Sequence, residues 1–525
     1  MKAFIFGAFL VLMPSILIAQ ATILQQRQLG GPADENPHHF LKLSDENYLV
    51  TGFTASEPSD DPSISDISNN YGRKDCWVVK LDRDLNIIWE KTYGGTQNDE
   101  GTATAMDNDG QFLVVGTTNS SDIDIPMVNQ GDRDAFLMKV DTDGTLLWSQ
   151  SLGGTFNDEL WDVTFDGTNF IAVGHTVSPE IDATIIDREK VWVLKIDPTG
   201  DIIWQKTFGG SNRDEASSVL INPDGSIMVA GLTKSDDGDV SFNKGFVDAW
   251  LLKLSTDGDL LWEKTYGGRG NDIGVQIKAS RNGGYAFLCE SNSLDQDISD
   301  AIGNGDFWFI KLSENGDLEW EKSIGGAASD TPAAFIENEN GDWILLGTTI
   351  SADPELGCTA DNFNLLLYAI DGQTGQRLWS RCAGGSSWDF GIDLALIDDQ
   401  HLMIAGYTES NDGDLGNGKQ QSTSEILHGA HEVWVFELET NYRVNNTELL
   451  TPNITLYPNP TKNKIYLNGP ENTKLNLQIC DLRGSQIQSF EAVSQQSYPL
   501  NLQKGLYFVK LCKDGDCQTQ KLLID

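Results

Sequence analysis

The stretch Asp197-Pro198-Thr199-Gly200-Asp201-Ile202-Ile203-Trp204, with Gly209-Gly210 beginning five residues after its tryptophan, decides the fold because its pattern recurs along the chain. Gly-Gly pairs begin at Gly30, Gly94, Gly153, Gly209, Gly267, Gly325 and Gly384, at intervals of 64, 59, 56, 58, 58 and 59 residues. From the second pair onward a tryptophan stands five residues earlier: Trp89, Trp148, Trp204, Trp262, Trp320 and Trp379. A fixed period of this kind governs the whole architecture and is read before any local motif. Each interval holds four short strand patterns, A to D, separated by turn residues. Position B reads Phe112-Leu113-Val114-Val115-Gly116 or Ile227-Met228-Val229-Ala230-Gly231, and position C reads Val191-Trp192-Val193-Leu194-Lys195-Ile196. Strands this continuously apolar are buried on both faces, as in a sheet stacked between neighbouring sheets. Four strands per repeat predict the blades of a propeller.

The ends of the repeat region are complementary. Ile23 to Leu29 align as a strand D, with Gln25 at the tryptophan position, but no strands A to C precede them. Val433-Trp434-Val435-Phe436-Glu437-Leu438 is a strand C with no strand D after it. Joining the two completes one sheet and removes two open edges, which a propeller without covalent closure requires. The expected fold is all-β: a seven-bladed β-propeller over residues 20–442, closed by the N-terminal strand, then a linker over 443–452 and a small C-terminal β-sandwich over 453–525.

The turn from C into D, as in Asp197 to Trp204 or Asp371 to Trp379, resembles the tryptophan-docking repeat of quinoprotein-like propellers. That resemblance concerns a packing device and implies no quinone cofactor. It makes the tryptophan row a contact between blades, with an aromatic ligand platform as the alternative. The whole repeat resembles the tandem propeller repeats found in secreted Bacteroidetes proteins.

The chain of 525 residues has 36 Lys+Arg against 78 Asp+Glu, a net charge of −42. Such a chain lacks the basic footprint that nucleic acid or an anionic membrane demands. Its 14 Trp and 39% hydrophobic residues set it apart from disordered acidic sequences. Residues 453–525 hold 8 basic and 6 acidic side chains, so all the acidity belongs to the repeat region. That break in composition marks the domain boundary near Tyr442 to Asn453.

Residues 1–19 carry Lys2, an apolar run from Ala3 to Ile18, and small residues at Ala19 and Ala21, the pattern of a secretory signal peptide cleaved after Ala19. A membrane anchor is the alternative, but Pro14 interrupts the run and it falls short of the ~20 residues a spanning helix needs. No other long apolar run occurs, so no transmembrane segment is expected in the mature chain.

At the other end, Tyr457-Pro458-Asn459-Pro460, then Asp481 and Gly484, then Gly505 and Tyr507 punctuate period-two strands ending at Leu522 to Asp525. This order of motifs closely resembles the C-terminal sorting domain of the type IX secretion system of Bacteroidetes. The resemblance implies that the type IX machinery is a partner and that the protein reaches the outer cell surface or the medium.

In a four-stranded meander, the B to C loops and the D to A connectors emerge on one face. Strand B ends in Gly-x-Thr-x-Ser, as in Gly231, Thr233 and Ser235, and runs into acidic loops. Asp122 and Asp124, Asp236, Asp237 and Asp239, Asp295 and Asp297, and Asp412 and Asp414 are the candidate ligands there. Alternating carboxylates with a glycine and nearby hydroxyls supply the hard oxygen donors that calcium prefers; a solvated acidic loop is the alternative. The connectors add Asp99, Asp158, Asp214, Asp272, Asp330 and Asp389, with Glu35 aligned, and their regular recurrence points to acceptors of backbone hydrogen bonds in tight turns. Asp141-Thr142-Asp143-Gly144 lacks the later acid of an EF-hand loop.

No catalytic residue is assigned. His428-Gly429-Ala430-His431-Glu432 has the wrong order for a His-Glu-x-x-His zinc helix, and His38-His39 should point to opposite faces of a strand. Of seven Cys, Cys512 with Cys517 and Cys358 with Cys382 are candidate disulfides, while Cys76 and Cys289 sit in buried strand patterns. The expected function is a non-catalytic binding or adhesion module for an extracellular glycan or protein, with calcium as an assisting ion. The alternatives are a secreted polysaccharide-degrading enzyme, since paired carboxylates could cleave glycosides, and a structural surface protein with no discrete ligand.

Overall fold

The computed structural model describes residues 21–440 apart from 60–64, 123–130, 186–187, 354–355, 359–361 and 417–430, together with the strands and a few flanking residues of the tail. The expected signal peptide, residues 1–19, lies outside the described residues, as does the expected linker, 443–452. The chain divides into two units, 1–441 and 442–525.

In the first unit, the described residues form seven antiparallel sheets of four strands. Six are built from consecutive strands, over 35–93, 99–152, 158–208, 214–266, 272–324 and 330–383. The seventh takes three strands from 389–439, and its fourth is Thr22–Leu29, antiparallel to Glu432–Glu439. Strands B and C are buried along nearly their whole length because each sheet is covered on both faces. Each strand A packs on the strand A of the next sheet, and that of the seventh packs on that of the first.

The tryptophan of strand D docks on the next sheet. Trp89 Nε1 donates to the carbonyl of Thr142 at 3.0 Å, and a Cβ on Gly144 would fall 3.0 Å from its ring. Trp148, Trp204, Trp262 and Trp320 lie in the same way over Gly200, Gly258, Gly316 and Gly375. These turn glycines have φ between 66° and 99°, so glycine is needed here twice over, for backbone conformation and for space. In the seventh sheet, Gln25 at the tryptophan position donates to the carbonyl of Arg83 in the first sheet's turn, at 2.9 Å.

Strand C carries a second set of tryptophans whose indole N–H is satisfied by strand D. Trp77 donates to Glu90, Trp192 to Gln205, Trp250 to Glu263 and Trp308 to Glu321, at 2.8–3.2 Å. Trp434 donates to Gln26 of the N-terminal strand at 3.0 Å.

Each pairing of A with B slips register at the same place, so the third residue after the acid is bulged in all seven sheets. A bulge suspends strict alternation. This corrects the reading of His38 and His39, which both line one cavity at the centre of the unit. Polar groups at and beside the bulges stitch each sheet to the next. His38 Nδ1 meets the Gly101 carbonyl, Thr102 donates to Leu160, and Asp162 accepts from the Val219 amide. Ser217 donates to Gly274, Gln276 accepts from Phe335, Thr348 from Gly391, and Asp393 from Phe40 of the first sheet.

The second unit has a three-stranded sheet of Thr455–Tyr457, Lys464–Asn468 and Gln496–Pro499, and a four-stranded one ordered Gln486–Val493, Lys474–Cys480, Gly505–Lys513 and Asp516–Ile524. Ile465 and Leu467 of the first sheet share a buried core with Leu477, Ile479, Val509 and Leu522 of the second. Cys512 stands opposite Cys517 in register. Cys358 and Cys382 form a disulfide across 24 residues, and Cys76 and Cys289 are buried free thiols.

Candidate functional site

The repeated connector acid is a lock. Asp158 is fully buried; its Oδ2 accepts from the Gly154 amide at 2.8 Å and from the Ser178 hydroxyl at 2.7 Å, and its Oδ1 accepts from Thr176. Asp99, Asp214 and Asp389 repeat the set with Thr118 and Ser120, Thr233 and Ser235, and Thr408 and Ser410. Asp272 does so with Ser291 and Ser293. Asp330 accepts from Gly326 and Ser351, and Glu35 from Gly31 and Thr54. Gly-x-Thr-x-Ser is thus the donor half of this lock, with each hydroxyl delivered by the end of strand B to an acid at the start of strand A. Charged acceptors of several hydrogen bonds are the strong kind, and buried donors left without them are costly.

The acids of the B to C loops hold the same connectors from outside. Asp122, Asp237, Asp295 and Asp412 each accept the amide of the residue after Gly-Gly, at 2.7–3.0 Å. Asp239, Asp297 and Asp414 accept the amide of the first glycine, at 3.0–3.2 Å. Asp297 also pairs with Lys244, and Asp414 with Arg381. Asp236 is exposed, and Asp124 lies outside the described residues. Asp141 accepts the amides of Asp143 and Thr145 and so closes its own turn. Among the described residues, no three His, Cys, Asp or Glu side chains come together in a metal-holding group.

A second row of acids opens strand C. Asp248 and Asp306 are buried beside Asp272 and Asp330, and the Oδ1 of each has no hydrogen-bond partner. Burial, with the neighbouring carboxylate adding, pushes both up to about 6. Burial likewise pushes Glu35 up to about 7.

On the face of connectors and B to C loops, an aromatic run crosses the last two sheets. Phe363 lies 5.4 Å from Trp388 and 5.1 Å from Phe390, and Phe390 stacks on Tyr407 at 4.5 Å with 15° between planes. Tyr407 meets the His431 ring at 5.4 Å, and His431 Nε2 is 2.7 Å from Glu409. Trp388 is 45% exposed, whereas the other members are half-buried. Burial, and Glu409 beside it, push the Tyr407 phenol up to about 12. The sequence reading missed this run because its members come from four separate segments. The signal available was Trp388 and Phe390 flanking a connector acid, where most repeats carry smaller or charged residues.

Of the sorting motif, Pro458, Asn459, Pro460, Asp481 and Gly484 lie outside the described residues. Tyr457 is in a strand, and Gly505 opens the strand in which Tyr507 packs against the buried core. Residues 455–525 match the family described as the secretion system C-terminal sorting domain. This tail directs export through the type IX system to the cell surface or the extracellular space. No helix among the described residues is long and apolar enough to cross a membrane.

The chain is similar to the regulatory protein FlaEY of Caulobacter vibrioides, 29% identical over 312 residues, which cover 52% of this chain and 32% of that one. It therefore spans about a third of the length of that relative. Among solved structures it is similar to the WD40 beta propeller domain of Doa1, with TM-score 0.42 and 10% identity over 80% of this chain and 97% of that one. Sqt1 from Chaetomium thermophilum matches with TM-score 0.41 and 12% identity over 74% and 97%.

Proposed function

We propose that residues 20–442 form a seven-bladed β-propeller closed by the N-terminal strand, joined through 443–452 to the sorting domain at 453–525, and that it works as a non-catalytic extracellular binding module for a glycan. The aromatic run of Phe363, Trp388, Phe390, Tyr407 and His431 carries the reading. Half-exposed aromatic faces offer apolar platforms to the C–H faces of a sugar ring, while Glu409 and His431 at the end of the run offer hydrogen bonds to hydroxyls. The abundant carboxylates favour binding over cleavage, because the repeated ones are engaged in holding loops.

The test is to run the full chain through native gels containing a panel of soluble polysaccharides and to assay reducing ends in parallel. Retardation without release of reducing ends is the expected result. Release would favour the glycosidase alternative, and no retardation by any polymer would overturn the reading.

Calcium enters as an assisting ion at the B to C loops, where carboxylate oxygens of Asp122, Asp237, Asp295 and Asp412 already hold the connectors. An ion there would tighten the face that carries the aromatic run. The unfolding midpoint in calcium is then higher than in chelator, since an ion bound only by the native state at 100 times its dissociation constant adds about 2.7 kcal/mol. Coincident curves would remove calcium from the account.

A further inference from the structure

The cavity at the centre of the first unit has a volume of about 440 Å³, within the range of small-molecule sites. It is lined by the strand A of every one of the seven sheets, mostly at the bulged residue or the one after it. Two features of the lining select a ligand. Asp162 of the third sheet, Asp393 of the seventh and Glu215 of the fourth are on its lining, Glu215 already paired with Arg213, and no lysine or arginine lines it. Neither aspartate forms an ion pair with a basic side chain among the described residues. Each is held by backbone amides, Asp162 by Val163 and Val219 and Asp393 by Leu394 and Phe40, so both are fixed in place.

The remaining walls are largely aliphatic, from Ile273, Val275, Ala333 and Ile392 among others. Trp161 adds an indole that is 39% exposed, so the cavity reaches solvent along that wall.

Counted around the succession of sheets, the third and seventh are as far apart as two of seven can be. Two acidic ends separated by an apolar middle match a molecule with a cation at each end and hydrocarbon between. We propose that this cavity binds a linear aliphatic diamine, with one ammonium group at Asp162 and the other at Asp393 and its methylenes along the aliphatic walls. An ammonium group over or beside Trp161 gains a cation–π attraction as well. Burial raises the carboxyl of Asp162, and an arriving cation supplies the counter-charge that favours its ionised form. This site is independent of the aromatic run on the loop face, and the two can fail separately.

The test is isothermal titration of the full chain with 1,5-diaminopentane, alongside pentylamine and 1,5-pentanediol. Saturable one-to-one binding of the diamine, at least tenfold tighter than pentylamine and with no heat from the diol, is the expected result. Asp162→Asn and Asp393→Asn, which keep a carbonyl acceptor for the Val219 and Phe40 amides, should each weaken binding at least tenfold. Ala333→Leu touches neither carboxylate but narrows the cavity from the bulge of the sixth sheet, and it should abolish binding while the chain stays folded by circular dichroism. Absence of saturable binding by the wild-type chain would overturn the proposal, as would equal affinity for diamine and diol or undiminished binding by a folded Ala333→Leu chain.

Discussion

Trp434 donates its indole N–H to Gln26 at 3.0 Å across 408 residues of sequence, the same bond that Trp250 makes to Glu263 only 13 residues away. The N-terminal strand thus supplies to the seventh sheet the acceptor that four of the other sheets take from their own strand D. Gln26 is 2% exposed and also donates to the carbonyls of Asp414 and Leu415, which ties it to the loop face.

Gln26→Ala leaves a buried indole N–H and two carbonyls without their partner. A loss of about 2 kcal/mol is expected from the ordinary cost of unsatisfied buried groups. Urea unfolding followed by tryptophan fluorescence measures it. Because the strand pairs with Glu432–Glu439 of the seventh sheet, the midpoint should fall in one cooperative transition; an unchanged midpoint would mean that the strand is not part of the folding unit.

The lock around Asp158 makes a second prediction. Asp158→Ala strands the Gly154 amide and two hydroxyls in a buried site, and about 3 kcal/mol of stability should be lost. Asp158→Asn retains one acceptor oxygen and should cost less. Since the donors are protein groups, the loss should be the same in calcium and in chelator. Urea midpoints of the three chains in both buffers decide it.

Stability should also depend on pH in a defined direction. Glu35 is raised to about 7, and Asp248 and Asp306 to about 6, by burial first of all. The folded chain therefore keeps these protons at pH values where the unfolded chain has lost them. Stability is full below the unfolded values near 4, falls as pH rises through 6 and 7, and levels off above. Thermal unfolding at pH 5 and pH 8 should give the higher midpoint at pH 5, and Asp248→Asn with Asp306→Asn should shrink the difference.

Much of the fold could be read from residues whose job repeats. Gly144, Gly200 and Gly258 recur at one turn because a tryptophan ring occupies the space of a side chain there, and the strands recur because each sheet is covered twice. The site was harder to read for physical reasons that particular residues show. Asp99 and its partners Thr118 and Ser120 were each visible as repeats, but they meet 19 and 21 residues apart, so their partnership was not. The hold of the B to C acids on the connectors is not visible in a linear reading because their amide partners lie about 26 residues away. A period of two places His38 and His39 on opposite faces, and the bulge at that position breaks it. The aromatic run has no period at all, since Phe363, Trp388, Tyr407 and His431 meet only in space.

The central claim is that this run binds glycan, and the most direct measurement compares the wild-type full chain with Trp388→Ala in polysaccharide affinity gels. Trp388 is 45% exposed, so its removal should leave the unfolding midpoint unchanged. The account predicts retardation of the wild-type chain by at least one polymer, and affinity about tenfold weaker in the variant, as expected for loss of an aromatic anchor worth about 1.4 kcal/mol. Equal retardation of the two chains would contradict it.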